Sequence, residues 1–598
     1  MRASLVRLAL ALLSIVPGAC GSEPQPAATT APPEPHAPEP PPAPDPPRRP
    51  GPTCTFHGWC WQHPAPQGNT LRGVLALDGE VIAVGDRGTV IRRRDGAWAF
   101  EDTPTRETLR AVWGPDRAHV WAVGERGTVL ARGDEGWRAA EPLTERALHA
   151  IWGRSASELY ATGEAGTVLR FDGTSWSREP IETDLTLVAV AGGGDLVYAL
   201  GVGGHLEEGE RQRATLFVRR GGAWAPMESF AADLGALWVG EDGSVIVAGA
   251  DARHYDGRWT TRSLGIDRPV TALFGAGGRV FAAGYEGRVA SWGSGRWSRL
   301  ETGATRDVLA LSGHGGEVWA VGASGLVLHF GGERWQAESR GEAAHLNGVW
   351  GSGPRDVWAV GEQAMLRFDG GEWSASGPRE HALHAIGGAG SRLIAAGDRG
   401  ALLELSGDTW TARALGGEHE LHGVWSDGAR AFVVGKSVWL HREGGAWREL
   451  PDRPPATGVW GASAGEVWAV GQDGIHRWDG SEWRPVPGTS ELALFGVWGS
   501  ARDDAWAVGA DGRIVRYDGA RWTEVESPTS QSLLAVWGSG RDDVWAVGQH
   551  GTILHFDGAR WSWRDSGTDE ILHGVWGSGP RDVFAVGHGG TVLHYGGP

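Results

Sequence analysis

Four short apolar bursts separated by turn residues recur about every 38 residues through most of this 598-residue chain, and Gly (96) and Trp (34) are far above ordinary usage. These observations predict an all-β fold of two tandem seven-bladed β-propellers, built from fourteen four-stranded repeats. The length points the same way, because 598 residues exceed what one hydrophobic core serves.

The clearest unit, Leu533 to Ile571, reads LLAVWGSGRDDVWAVGQHGTILHFDGARWSWRDSGTDEI. Its bursts LxxVWG, DVWAVG, GTVLHF and xWS have strand length, and we call them strands A to D. Turn residues such as SGPRD lie between A and B, a Gly-containing loop between B and C, and an Asp-Gly turn such as Asp557-Gly558 between C and D. Units start at Leu71, Leu109, Leu148, Leu187, Leu234, Val270, Val308, Leu346, Leu383, Leu421, Ala456, Leu494, Leu533 and Leu572, which number blades 1 to 14. One such sheet cannot bury both faces, so each must stack against its neighbours, and radial stacking gives a propeller. Fourteen blades exceed one ring, so they divide seven and seven.

The chain ends bear on ring closure. The last unit stops at Tyr595-Gly-Gly-Pro598 without strand D, while a spare strand-D segment, Trp59-Cys60-Trp61-Gln62, precedes the first unit. In one scheme the Trp59 segment completes the blade of Val308 to Phe330, and Arg334-Trp335-Gln336 completes the last blade. In the other the Trp59 segment pairs directly with the C-terminal strands and ties the two rings together. The first is favoured because no chain crosses between domains. The expected organisation is then a signal peptide over 1–19, a tether over 20–53, a first propeller over 54–332 and a second over 333–598.

The N-terminus reads as an export signal: Arg2 and Arg7, an apolar run from Leu8 to Val16 too short to span a bilayer, then Gly18 and Ala19 before Cys20. The cysteine after two small residues resembles the lipobox of bacterial lipoproteins. That resemblance implies cleavage before Cys20, lipidation there, and a cell-envelope location at the outer membrane or cell surface. The alternative is an ordinary signal peptide with an incidental cysteine. Gly21 in place of aspartate leaves an outer-membrane destination open. The following Pro, Ala and Glu-rich stretch to Thr53 cannot bury a core and serves as a spacer of up to roughly 100 Å. Cys54 and Cys60 would meet an oxidising compartment, where a disulfide requires a turn through Thr55 to Trp59; two free thiols are the alternative.

The repeat resembles the photosystem II stability and assembly factor family and, more loosely, bacterial neuraminidase-type repeats. The residues that carry this are Gly166-Thr167-Val168-Leu169 followed by Asp172-Gly173-Thr174-Ser175-Trp176, with their counterparts over Leu71 to Pro598. The sequence departs from those families before the turn, where Arg-Phe or His-Phe stands. The resemblance implies the fold and leaves function open.

The recurrent polar and aromatic residues have structural readings. Trp113, Trp350 and Trp498 share one repeat position and Trp358, Trp468 and Trp545 another, as packing residues would. His149, His384, His422 and His573 share a position, as do His329, His555 and His594; copies spread around a ring are too far apart to share a metal ion, so no metal or other cofactor is expected. Asp356, Asp504, Asp543 and Asp582 precede strand B, and Asp172, Asp369, Asp479, Asp518 and Asp557 precede a hairpin glycine; both sets are expected to bond local backbone. Gly435-Lys436-Ser437 lacks the upstream glycine and following helix of a phosphate loop, and no HExxH, GxSxG or Cys/His nucleophile pair is present, so no catalytic residue is assigned.

A formal charge of −18, with basic residues scattered, disfavours a nucleic-acid partner. The irregular feature is the long B–C loop of blade 4, whose His205, Glu207, Glu208, Glu210, Arg211 and Arg213 are the candidate binding residues. The expected function is a non-catalytic, membrane-anchored scaffold for a protein partner. A glycan-directed propeller and an assembly factor for an envelope complex are the alternatives.

Overall fold

The computed structural model describes residues 54, 55, 57–203, 213–231, 233–339, 341, 344–413, 415, 418–450 and 453–596. They form fourteen four-stranded antiparallel sheets, and each of the first thirteen is made of strands A to D of one repeat in chain order. The innermost strand Leu71–Leu77 of blade 1 packs beside Val308–His314 of blade 7, and Leu346–Gly353 of blade 8 packs beside Leu572–Gly579 of blade 14. The blades therefore close into two seven-membered rings.

The core lies between the sheets rather than within them. Trp506, Val508 and Ile514 of blade 12 form one buried cluster with Leu533, Val536, Val544 and Phe556 of blade 13. The same sharing recurs around both rings, and the closing seams are built alike: Trp319 and Val321 of blade 7 with Leu71 and Val74 of blade 1, and Phe584 and Val586 of blade 14 with Leu346 and Val357 of blade 8.

The Trp-Gly pair that ends LxxVWG explains how neighbouring sheets come so close. The tryptophan of one blade lies over the α-carbon of that glycine in the next. A Cβ on Gly538 would sit 2.6 Å from Trp498, one on Gly577 2.6 Å from Trp537, and one on Gly153 2.6 Å from Trp113. The seam of the second ring repeats this contact, with Trp576 of blade 14 against Gly351 of blade 8. At the seam of the first ring both partners change together. Ser312 replaces the tryptophan and Ala76 the glycine, and the Ala76 N–H donates to the Ser312 hydroxyl at 3.0 Å. Trp358, Trp468 and Trp545 on strand B are buried against the adjoining blade.

The favoured ring-closure scheme does not hold. The strand Trp59–His63 pairs with Val592–Tyr595, placing Trp59 opposite Tyr595 and Cys60 opposite His594, and supplies strand D of blade 14. The blade begun at Val308 is completed by its own Trp335–Ala337. Residues 54, 55 and 57–63 thus belong to the second ring and 333–337 to the first, which corrects the expected boundaries at both places. The physical reason is burial. Trp59 is fully buried against Trp545 and Tyr595, with ring centres 5.5 and 5.6 Å away. That stabilisation outweighs the two chain crossings between rings that the scheme requires. Cys60, in this strand, is disulfide-bonded to Cys54 across a tight turn, in which the Thr55 N–H donates to the Trp59 carbonyl and the Gly58 N–H to that of Thr55.

The B–C turns and the links from strand D to the next strand A emerge on one face of each ring, the top face. The rings meet through such elements. Arg87, in a B–C turn of blade 1, is buried against Asp565 and Asp569 in the link between blades 13 and 14; Arg106 adds a two-point bond to Asp565 at 2.8 and 2.9 Å and lies over Trp563. Asn69 donates to the Gly567 carbonyl and to Thr89. A cavity of about 360 Å³ opens at this junction, lined by Cys54, Arg87, Phe100, Arg106 and Asp565 among others.

Two predictions follow from this architecture. Gly538→Ala should destabilise the protein by about 1–3 kcal/mol, since Trp498 and a backbone carbonyl block the new methyl. Gly540→Ala, two residues on and facing open space, should be near neutral in the same denaturant melt. Trp59→Ala should cost about 3–5 kcal/mol and lower the unfolding transition of the second ring, whereas the first scheme requires the loss to fall on the first ring.

Candidate functional site

Glycine ends strand B because the chain passes close to the carbonyl that precedes strand A, as Gly548 does to Ser532. The B–C turn that follows therefore sits beside the start of strand A, at the rim of the channel, and residues from the two segments form the channel mouth.

In the first ring this mouth is a belt of ion pairs. Arg72 bonds Asp86 at 2.6 Å, Arg110 bonds Glu125, and Arg268 bonds Glu286 at 2.8 Å, while the Glu286 N–H donates to Asp307. Arg306 donates to the Ser324 carbonyl, and burial holds its guanidinium below the usual range. His149 is also pushed down, first by burial and then by Arg110. Two large apolar side chains stand out from this polar face: Tyr285 in the B–C turn of blade 6, 44 % exposed, and Leu143 in the link after blade 2, 39 % exposed. The long loop of blade 4 springs from the same face, between Leu196–Gly203 and Arg213–Arg220. Of its candidate residues His205, Glu207, Glu208, Glu210 and Arg211 lie outside the described residues, and Arg213 is exposed at the start of strand C, opposite Gly203. Cys20 also lies outside the described residues.

In the second ring the mouth is lined by histidine. His384 and His422, on the innermost strands of adjacent blades, have ring centres 5.1 Å apart. Adjacent blades bring strand A close enough for side chains to touch. His573 meets His588, which two glycines follow in the B–C turn of blade 14, at 4.7 Å, and His588 meets His345 in the link between the rings at 4.1 Å. Neither His345 nor His588 is at a repeat position shared with the other histidines, and so spacing did not reveal them. His345 Nδ1 accepts the Gly589 N–H at 3.1 Å, and Nε2 of His573 is buried without a hydrogen-bond partner. Burial, with the neighbouring His588, His345 and His384, lowers the His573 pKa to about 4. Burial also lowers His422 and His588. His384 Nε2 bonds Asp398 at 2.7 Å. Among the described residues no group of three or more His, Cys, Asp or Glu side chains is placed to hold a metal ion.

The second histidine set is structural, as expected. His555 and His594 stack on Trp545 and Phe584 and bond Asp543 and Asp582, each at 2.6 Å. This corrects the reading of Asp356, Asp504, Asp543 and Asp582 as backbone-bonding turn residues. Each accepts from a serine four residues earlier and from an Arg or His on strand C, as Asp504 does from Ser500 and Arg516. Asp543 stays below the usual carboxylate range: burial pushes it up, and the bonds from His555 and Ser539 outweigh that. The serine donates to the carboxylate and not to the imidazole, so the arrangement does not activate a nucleophile. Asp172, Asp369, Asp479, Asp518 and Asp557 do accept the backbone N–H groups two and three residues on, as expected.

No protein-family model and no curated protein matches the chain. Solved structures do. PorZ, a bacterial surface component of the type-IX secretion system of Porphyromonas gingivalis, is 11 % identical over 90 % of this chain and 86 % of that chain, with a TM-score of 0.62. YCF48 bound to D1 peptide is 19 % identical over 43 % of this chain and 95 % of that chain, with a TM-score of 0.38. YCF48 from Cyanidioschyzon merolae is 18 % identical over 42 % and 96 %, with a TM-score of 0.37. The likeness is one of fold.

The histidine mouth has a pH signature. His573 has a folded pKa of about 4 against 6.5 for the free side chain. The unfolded chain therefore binds the extra proton first, and stability falls as the pH drops from about 6.5 to about 4. His573→Gln should flatten denaturant-melt stability across that window relative to the wild type; an unchanged slope counts against a buried, neutral His573.

Proposed function

We propose that this protein is an exported, lipid-anchored, non-catalytic scaffold of the cell envelope that recognises a protein partner through the top face of its first ring. One observation carries the reading: the long loop of blade 4, Tyr285 and Leu143 all belong to elements of that face, and Tyr285 and Leu143 are two of the three most exposed large apolar side chains among the described residues. Apolar side chains amid a rim of charge are the ordinary composition of a protein-binding patch. The packed strands beneath fix the spacing of the points from which these elements spring, which reduces the ordering cost of association. Cys20 is taken as the site of the lipid anchor and the Pro-rich stretch after it as a spacer, on the sequence alone.

Crosslinked pull-down from native membranes tests this with the full chain. A variant with 204–212 replaced by the short B–C turn of blade 3, combined with Tyr285→Ala and Leu143→Ala, should lose its captured partner while melting as the wild type does. Retention of that partner overturns the assignment of this face.

A further inference from the structure

The B–C turn of blade 14, His588–Gly590, is held by two histidines with opposite hydrogen-bonding roles. His63, at the end of strand D of that blade, is buried, and its Nδ1–H donates to the Gly590 carbonyl at 2.7 Å. His345 stands where the link between the rings runs into blade 8, and its Nδ1 accepts the Gly589 N–H at 3.1 Å. Its own carbonyl accepts the Glu362 N–H at 2.9 Å, which fixes its backbone to blade 8, so the bond to Gly589 crosses the closing seam of the second ring. The turn also reaches the first ring: a Cβ on Gly589 would lie 3.9 Å from Ser324 Oγ in the B–C turn of blade 7. An imidazolium has two donors and no acceptor. Proton uptake therefore leaves the His63 bond intact and abolishes the His345 bond.

We propose that this turn is a proton-operated clasp: acidification releases Gly589 from His345 and loosens the seam between blades 8 and 14 together with its contact to blade 7. The neighbouring imidazoles work in the same direction. The ring centre of His588 lies 4.1 Å from that of His345 and 4.7 Å from that of His573, separations at which charged imidazoles repel. Burial and then His345 lower the His588 pKa, as burial and then His588 lower that of His573. A conformation that separates these rings takes up protons nearer the ordinary value of about 6.5, so falling pH favours the separated form. Charged groups face the stack from every side: Glu362 from blade 8, Glu570 from the link between blades 13 and 14, and His384, bonded to Asp398, from blade 9. Burial, and behind it Asp86 and Asp569, hold the Glu570 carboxyl above the usual range against the pull of His345, and Asp569 is itself paired with Arg87. Acid thus neutralises Glu570 early, and its compensating charge is lost as the imidazoles become positive.

Hydrogen–deuterium exchange of the full chain tests this, read by mass spectrometry at about pH 7.5 and about pH 5 and corrected for the intrinsic pH dependence of amide exchange. Peptides spanning 587–592 and 344–349 should lose protection at least about fivefold at the lower pH. Strand B of blades 3 and 12, Glu158–Gly163 and Asp504–Gly509, should stay protected, and the B–C turn of blade 12, Ala510–Gly512, which has no histidine, should change by less than about twofold. His345→Asn places an amide oxygen where Nδ1 stands, an acceptor that does not titrate, and combined with His588→Gln it should keep the blade 14 turn protected at the lower pH. Equal wild-type protection at both pH values, loosening of the strand-B peptides together with the turn, or an acid response in the double variant as large as that of the wild type overturns the proposal. The wild-type exchange profile decides it even where a variant fails to fold.

Discussion

A tryptophan lying over the bare α-carbon of a glycine in the next blade is the contact on which this architecture depends. A single four-stranded sheet of this size has too little interior to be stable, so nearly all of the apolar burial lies between sheets. Glycine at that position lets a large aromatic surface reach the neighbouring backbone, and the repeat passes the same contact along most of the second ring and part of the first. Where the first ring closes, tryptophan and glycine are both replaced, and a hydroxyl-to-amide bond between Ser312 and Ala76 takes their place. The second ring closes with the standard contact, Trp576 on Gly351. A ring held this way is stiff, and variation is confined to turns outside the packed strands.

The polypeptide enters as the outermost strand of blade 14, crosses to build the whole first ring, and crosses back to build the rest of the second. Any force or tether acting on the N-terminus is therefore applied to the seam of the second ring, beside the Cys54–Cys60 disulfide and the ring junction. Arg87 and Asp565 add a largely buried charged link at that junction, one whose partners are costly to separate singly, and the half-exposed Arg106 bonds the same carboxylate from outside.

The two channel mouths have different chemistries on the same backbone frame. At the first, arginine and carboxylate side chains from strand A and the B–C turn neutralise one another, and apolar side chains project beyond them. At the second, His384, His422 and His573 stand at the strand-A position of Arg72 and Arg110, His588 stands at the B–C position of Asp86 and Glu125, and the link between the rings contributes His345. The repeated Asp-Ser-His and Asp-Ser-Arg clusters, which in one dimension look like turn chemistry, tie strands B and C together over a stacked aromatic ring.

The repeat period, the four strands in each unit, the seven-and-seven division and the packing role of the periodic tryptophans were all legible in the amino-acid order, because each is set by interactions within one unit or with its immediate copy. The hairpin aspartates were legible for the same reason, since their partners lie two and three residues away. Ring closure was not, because it turns on the burial of Trp59 against residues more than 480 positions later, and nothing local distinguishes one unfinished blade from another. The histidine mouth was hidden likewise. Two of its members, His345 and His588, share no repeat position with the others; His588 meets His573 within blade 14, and only the closing of the ring brings His345, from the link between the rings, against His588.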